Sequence, residues 1–372
     1  MAPHTAPHAT VQEFDPQRHL PQLKHLGELG RSWTREAPAA NARLLTISLV
    51  SGTVTGAALL TARSAGSYVK IAGLLSVDAA TRERLIHEVL DYAGQQNLAC
   101  VKWEIWGADS ALAEMAEKTG FEALPAPRSA VERGSLADQE SLIPSAGYVH
   151  WLHPASYLRT NHYRQSENFT CAAVAALAAH GETSRIGELD ELRTAELTLW
   201  RQATNFMACE PIGLGLAIAQ RWPEHSVAVS LDTEQPVIVD YYPEAERGWR
   251  GILQADSRRR AKETGLPLTK ARVEISQIRE AVGDGARVLL LVSLQQMLGY
   301  DVPHWVLCHG SAGSADHPVL VIDDSWVNED SAESWVDVAC LPIAHRALDE
   351  MSCLEADGYR AALTLNTKQS SL

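Results

Sequence analysis

Tyr163-Arg164-Gln165-Ser166-Glu167-Asn168-Phe169-Thr170-Cys171, continuing as Ala172-Ala173-Val174-Ala175-Ala176-Leu177-Ala178-Ala179-His180-Gly181, sets the architecture of the second half of this 372-residue chain. Alanine and leucine dominate residues 172–179, Thr170 suits the N-cap, and Gly181 suits the left-handed position at the C-terminal end. The pattern predicts a buried helix with Cys171 in its first turn. A thiolate there feels the positive helix end, which favours ionisation of a group whose free pKa of about 8.5 leaves little of it reactive at neutral pH. A lone buried cysteine usually packs as a small hydrophobe, so its partners decide. Gln165, six residues upstream, places a side-chain amide where it can donate to the oxyanion of a tetrahedral intermediate.

A second partner lies 133 residues downstream. Pro303-His304-Trp305-Val306-Leu307 starts a strand, and the next strand, Pro318 to Ile322, runs into Asp323-Asp324-Ser325-Trp326. Neighbouring antiparallel strands would bring His304 against one of these aspartates, whose carboxylate would hold the imidazole while the imidazole faces the thiol. Asp323 and Asp324 point to opposite faces if the strand continues, so one of them reaches His304. Cysteine, then histidine, then an acidic residue is the papain-like order. Around this set, Leu189, Leu192, Ala195 and Leu199 form a helical stripe and Pro211 opens another helix. Val227–Leu231, Pro236–Tyr242, Val288–Val292, His304–Leu307 and Val319–Asp323 read as buried strands.

Four stretches in order tighten this reading: Arg164-Gln165-Ser166 with Thr170-Cys171; Leu199-Trp200-Arg201-Gln202-Ala203-Thr204; Pro211 with Leu214, Leu216 and Ala217; and Pro303-His304-Trp305-Val306. Together they resemble the bacterial C39-like cysteine peptidases over about residues 160–365. The resemblance implies a papain-like fold with Cys171 as nucleophile, His304 as base, Gln165 as oxyanion donor and Asp324 as the orienting carboxylate. Two departures stand out. Cys171-Ala172-Ala173 replaces the family's Cys-Gly-Pro, and Asp324-Ser325 replaces its Asp-Pro. Both alanines suit a helix and narrow the cleft.

The first half reads as a mixed unit. A hairpin spans Arg43 to Leu60 across Ser51-Gly52, and a strand follows at Val69 to Leu75. A helix capped by Asp78 carries Leu85, Ile86, Val89 and Leu90 and stops near Gly94. Next come a strand from Ala99 to Trp106, a short helix from Ser110 to Lys118 and a last strand from Gly147 to His153. Leu124 to Ser145 is a long surface loop. This order, with Glu117-Lys118-Thr119-Gly120-Phe121, resembles the second half of the GNAT acetyltransferase fold over roughly residues 11–156. In that family glycines before the long helix let backbone N–H groups reach the coenzyme A pyrophosphate. Here Thr81 and Glu83 stand at those places, and Asp78 and Glu83 would repel the anion. The expectation is a GNAT-like domain without acetyl-CoA chemistry and no cofactor.

The fold class expected is therefore α+β in two domains: residues 1–156 GNAT-like α/β and residues 157–372 papain-like. With 46 acidic and 32 basic residues, the net charge of −14 argues against a nucleic-acid surface. No run reaches the roughly 18 apolar residues of a membrane helix, and Met1 to His8 reads as a disordered tail with no signal peptide, so a cytoplasmic protein with no membrane partner is expected. The six cysteines form no CxxC pair and are expected reduced. Cys209, Cys308 and His309 read as structural, and His304, His309 and His317 match no metal-site spacing, so no metal is expected. The set fits cleavage of a peptide or related amide, or the same acyl-thioester passed to an amine. A degenerate binding module is the reading from a different class.

Overall fold

The computed structural model describes residues 8–34, 41–107, 109–128, 143–203 and 207–367. Of the expected tail only His8 is described, and it opens a strand; residues 129–142 of the long loop lie outside the described residues. Two sheets with flanking helices make the expected α+β architecture.

The first sheet contains β1 (His8–Glu13), β2 (Arg43–Ser48), β3 (Val54–Thr61), β4 (Tyr68–Ser76), β5 (Cys100–Ile105), β6 (Glu122–Ala123) and β7 (Ala146–Trp151). Its order is β1-β2-β3-β4-β5-β7-β6. Only β4 and β5 pair in parallel, because the helix Ala79–Gln95 between them provides the crossover such a pair needs. That helix starts where Asp78 accepts the Thr81 N–H at 2.7 Å, and Leu85, Ile86 and Val89 pack it onto Leu45, Leu60, Ile71 and Trp103. Toward the β1 edge, Phe14, Leu23 and Trp33 cover Leu44, Leu59 and Ala72 from the other face.

The second sheet contains β8 (Ser156–Tyr157), β9 (His225–Leu231), β10 (Leu268–Thr269), β11 (Arg287–Ser293), β12 (Pro303–Gly313), β13 (Pro318–Asp323), β14 (Leu341–Ala344) and β15 (Ala361–Thr367). The order is β10-β9-β15-β11-β12-β13-β14, with β8 beside β12. The helix Cys171–Ala179 packs across β11 and β12, against the helix Leu189–Ala203. All nine of its residues are buried, which is why it shows no polar stripe. Gly310 is required where β8 crosses β12, since a Cβ there would sit 2.4 Å from the Tyr157 Cβ.

One expectation is corrected. Pro236–Tyr242 is not a strand. Ile238 adopts φ 55°, and the Gln254 side chain from the helix Glu244–Thr264 takes the ladder's place, accepting from Val237 N–H at 2.8 Å and donating to its carbonyl at 2.7 Å. Conversely β15, absent from the sequence reading, fills the sheet between β9 and β11.

The two halves share a core. Tyr68, Ala99, Cys100, Leu124 and Val149 of the first pack with Val319, Trp335, Val336, Cys340 and Ile343 of the second. Beneath them lies a buried polar seam. Lys70 pairs with Glu104 at 2.8 Å and with Asp337, and Tyr68 donates to Asp337 at 2.8 Å. Lys102 donates to the carbonyls of Val336, Asp337 and Ala339 at 2.8, 3.0 and 2.7 Å. Trp335 and Val336 lie so close to β7 that a Cβ at Gly147 would fall 2.7 Å from each.

Candidate active site

Cys171 is the first residue of its helix and buried. The approach is held by Glu196, a fully buried carboxylate on the helix Leu189–Ala203. It accepts from the Tyr163 hydroxyl at 2.7 Å, from the Ser166 N–H at 2.8 Å and from the Thr170 hydroxyl. Thr170 occupies the N-cap position, but its hydroxyl turns to Glu196 and the Glu167 carbonyl instead of capping the helix amides. The first-turn amides are thus left without a side-chain acceptor from the N-cap.

His304 enters from β12, opposite Val292 of β11, and is buried. Its Nε2 is 2.7 Å from Oδ1 of Asp324. That bond leaves Nδ1 free of Asp324, and the Cys171 sulfur lies close enough to the ring to favour its charged form. Burial works against a charged imidazole, but the Asp324 carboxylate and the Cys171 sulfur outweigh it and raise the His304 pKa to about 10. Asp324 is fully buried just past the end of β13, where burial raises its pKa but His304 and Arg63 pull it well below the usual carboxylate range. The Trp326 N–H also donates to its Oδ1, at 2.8 Å.

Asp323 faces the other way. It meets His309 Nε2 at 3.2 Å, accepts from the Thr160 hydroxyl at 2.7 Å and from the Cys340 N–H at 2.8 Å. Gln165 is buried beside the site: its Oε1 accepts from the Ser325 hydroxyl at 2.8 Å and its Nε2 donates to the Glu167 carbonyl at 2.8 Å. An amide nitrogen carries two hydrogens, so one N–H remains for a further acceptor. Cys209 is buried close enough to Cys171 for the two sulfurs to interact, and burial pushes its thiol pKa far up; its carbonyl accepts from Trp305 Nε1 at 3.0 Å.

Among the described residues, His309, Asp323 and Cys340 form one group whose ligand atoms lie within 4.8 Å of one another. Both Asp323 oxygens are already hydrogen-bonded and the Lys102 ammonium acts on Cys340, so protein contacts close this group. Sequence reasoning missed Glu196, His162 and Arg63. His162 is buried with Nε2 2.9 Å from the Asp324 carbonyl, and Arg63 reaches the Asp324 carboxylate from the first half. Glu196 stands on the buried stripe of its helix between Leu192 and Leu199, a spacing that marks it as inward-facing.

The family described as DUF3335, the Peptidase_C39 like family, matches residues 160–366, more than half of the chain. The chain belongs to the Peptidase_C39 like family. Its match contains Cys171, His304, Asp324 and Gln165, while Arg63 lies outside it. No curated protein matches the chain. Solved acetyltransferases match the N-terminal part. An IAA acetyltransferase from Bacillus cereus ATCC 14579 is 10% identical, covering 39% of this chain and 100% of its own, with TM-score 0.28. A GNAT-family acetyltransferase from Staphylococcus aureus Mu50 is 13% identical, covering 39% and 99%, with TM-score 0.27. The ribosomal-protein-S18-alanine N-acetyltransferase from Escherichia coli is 12% identical, covering 38% and 91%, with TM-score 0.27. Among the described residues no helix is long and apolar enough to cross a membrane.

Proposed function

We propose that this chain is a thiol hydrolase that cleaves a peptide or related amide through an acyl-thioester on Cys171. The observation that carries the reading is the buried His304 ring bound to the Asp324 carboxylate at 2.7 Å, with the Cys171 sulfur close enough to favour its charged form. A charged imidazole beside a cysteine sulfur is the arrangement from which thiol nucleophiles react. In this reading the Cys171 sulfur attacks the substrate carbonyl carbon. The Cys171 backbone N–H and the second N–H of Gln165 receive the oxyanion, each such donor contributing about 3–4 kcal/mol. His304 then gives its Nδ1 proton to the leaving amine as the C–N bond breaks, leaving the thioester. Water attacks that thioester, His304 takes the water's proton, and the carboxylic acid leaves as the sulfur is released.

The first half enters this reading as support for the site and not as a second catalyst. Asp78 already occupies the Thr81 N–H at the start of the long helix, where an anionic phosphate would have to bind.

Selective alkylation tests the mechanism. Iodoacetamide at pH 6, with labelled sites mapped by mass spectrometry, should modify Cys171 well ahead of Cys100 and Cys308, whose thiols burial pushes up to about 12. Cys353 is exposed and is replaced by serine in the test chain to remove its background. Cys171→Ala should abolish amide cleavage, and Gln165→Ala should reduce it by roughly 100- to 1,000-fold. Full cleavage by Cys171→Ala would overturn the proposal. Product analysis with an added amine separates hydrolysis from amide formation at the same thioester.

A further inference from the structure

Arg63 lies in the connection between β3 and β4, outside the family match, and is buried. Its guanidinium is completely engaged by the second half of the chain. Nη1 donates to Oδ2 of Asp324, the oxygen that His304 leaves free. Nε and Nη2 form a two-pronged pair with Glu333 at 2.8 and 2.6 Å, and Nη2 also donates to the Trp326 carbonyl at 2.8 Å. The backbone N–H of Arg63 is fixed at 3.0 Å by the Tyr68 hydroxyl, which itself donates to Asp337. The planar fork of a guanidinium can bridge two carboxylates in this way, whereas an ammonium cannot hold the same geometry.

We propose that Arg63 is a positioning residue of the candidate active site, clamping one oxygen of Asp324 so that the other holds His304 toward Cys171. This rests on the thiol-hydrolase reading above and adds to it a role for the first half of the chain. With Oδ1 bound by His304 and the Trp326 N–H, and Oδ2 bound by Arg63, the Asp324 carboxylate cannot rotate. Glu333 offsets the arginine's charge, so Arg63 fixes the aspartate without cancelling its pull on the imidazole. The other groups facing this cluster are Tyr68, Tyr300, the Met297 sulfur, His162 against the Asp324 carbonyl, Cys209 beside Cys171 and, beyond Tyr68, Asp337 with its partner Lys70. Among the described residues, no other cation forms an ion pair with Asp324 than His304 and Arg63.

The test follows the pH profile of Cys171 alkylation by iodoacetamide in the full chain carrying Cys353→Ser. Arg63→Gln removes a positive charge next to Asp324 and should move the profile upward by roughly one pH unit. Glu333→Gln leaves Arg63 in place with its charge less offset and should move the profile downward. Arg63→Lys keeps the charge and should restore the profile's position while labelling more slowly, because one ammonium cannot reproduce the clamp. Profiles of Arg63→Gln and Glu333→Gln that superimpose on the parent's, in chains folded by circular dichroism, overturn the clamp and leave the thiol-hydrolase reading standing. If Arg63→Gln does not fold, the direction of the Glu333→Gln shift decides. A parent chain in which Cys171 labels no faster than the buried cysteines overturns both.

Discussion

His304 and Asp324 carry opposite pH signatures, and their signs can be worked out. Burial disfavours the charged ring, yet Asp324 and the Cys171 sulfur raise its pKa to about 10, above the roughly 6.5 of an unfolded histidine. Its contribution to stability is therefore complete below about 6.5 and is lost as the pH rises toward about 10. The Asp324 carboxyl is depressed, so its contribution is complete above the ordinary carboxylate range and is lost only as the pH falls through its folded value. Urea midpoints measured from pH 6.5 to 10 should fall in the parent chain, and His304→Gln should flatten that decline. An equal slope in the variant would show that the ring carries no raised pKa. Amide cleavage should also fade as the pH approaches about 10, where the proton needed by the leaving amine is gone.

At the scale of elements, the loop before Cys171 depends on one carboxylate. Glu196 collects a tyrosine hydroxyl, a backbone N–H and a threonine hydroxyl in a site without solvent. Glu196→Ala leaves those donors unsatisfied and should destabilise the chain by roughly 3 kcal/mol, read as a shift in the urea midpoint without a change of slope. Amide cleavage should drop with it even under conditions where the variant is folded, since residues 163–170 set the position of the sulfur. The helix Cys171–Ala179 and strand β13 are legible in the sequence because each is a contiguous apolar run with clear ends, whereas β12 is legible only over His304–Leu307, since His309, Gly310 and Ser311 interrupt its apolar run. Pro236–Tyr242 was misread for the same reason. Val237 and Ile238 are buried, but Gln254, Glu355 and Tyr359 supply the segment's hydrogen bonds, and no local pattern encodes partners so far along the chain. Thr170 shows the same limit: its place at the helix start was legible, but the destination of its hydroxyl was not.

For the whole molecule, the seam between the halves explains why Arg63 escaped the sequence reading. Tyr68-Val69-Lys70-Ile71 and Cys100-Val101-Lys102-Trp103-Glu104-Ile105 place lysines and a glutamate within strands, where charge ordinarily marks a face open to water. Here that face is buried under residues 333–340, and Lys70, Lys102 and Glu104 are almost wholly enclosed. Removing one member of such a buried set leaves another charge uncompensated, at a cost of roughly 3–5 kcal/mol. Lys70→Met should therefore lower stability by about that amount. Hydrogen exchange should then rise together in β4, β5 and the 333–340 segment. Accelerated exchange in β4 and β5 alone would mean that the halves open independently.

The same seam restricts how this protein can diverge. Arg63 answers to Asp324 and Glu333, and Lys70 to Glu104 and Asp337, across positions far apart in sequence. A hybrid made by joining the first half of one homologue to the second half of another would inherit mismatched lock and key, even with every recognised motif of the second half intact. Among descendants of a common ancestor, substitutions at residues 63, 324 and 333 should be fixed as a set, and recombination between the halves should be purged.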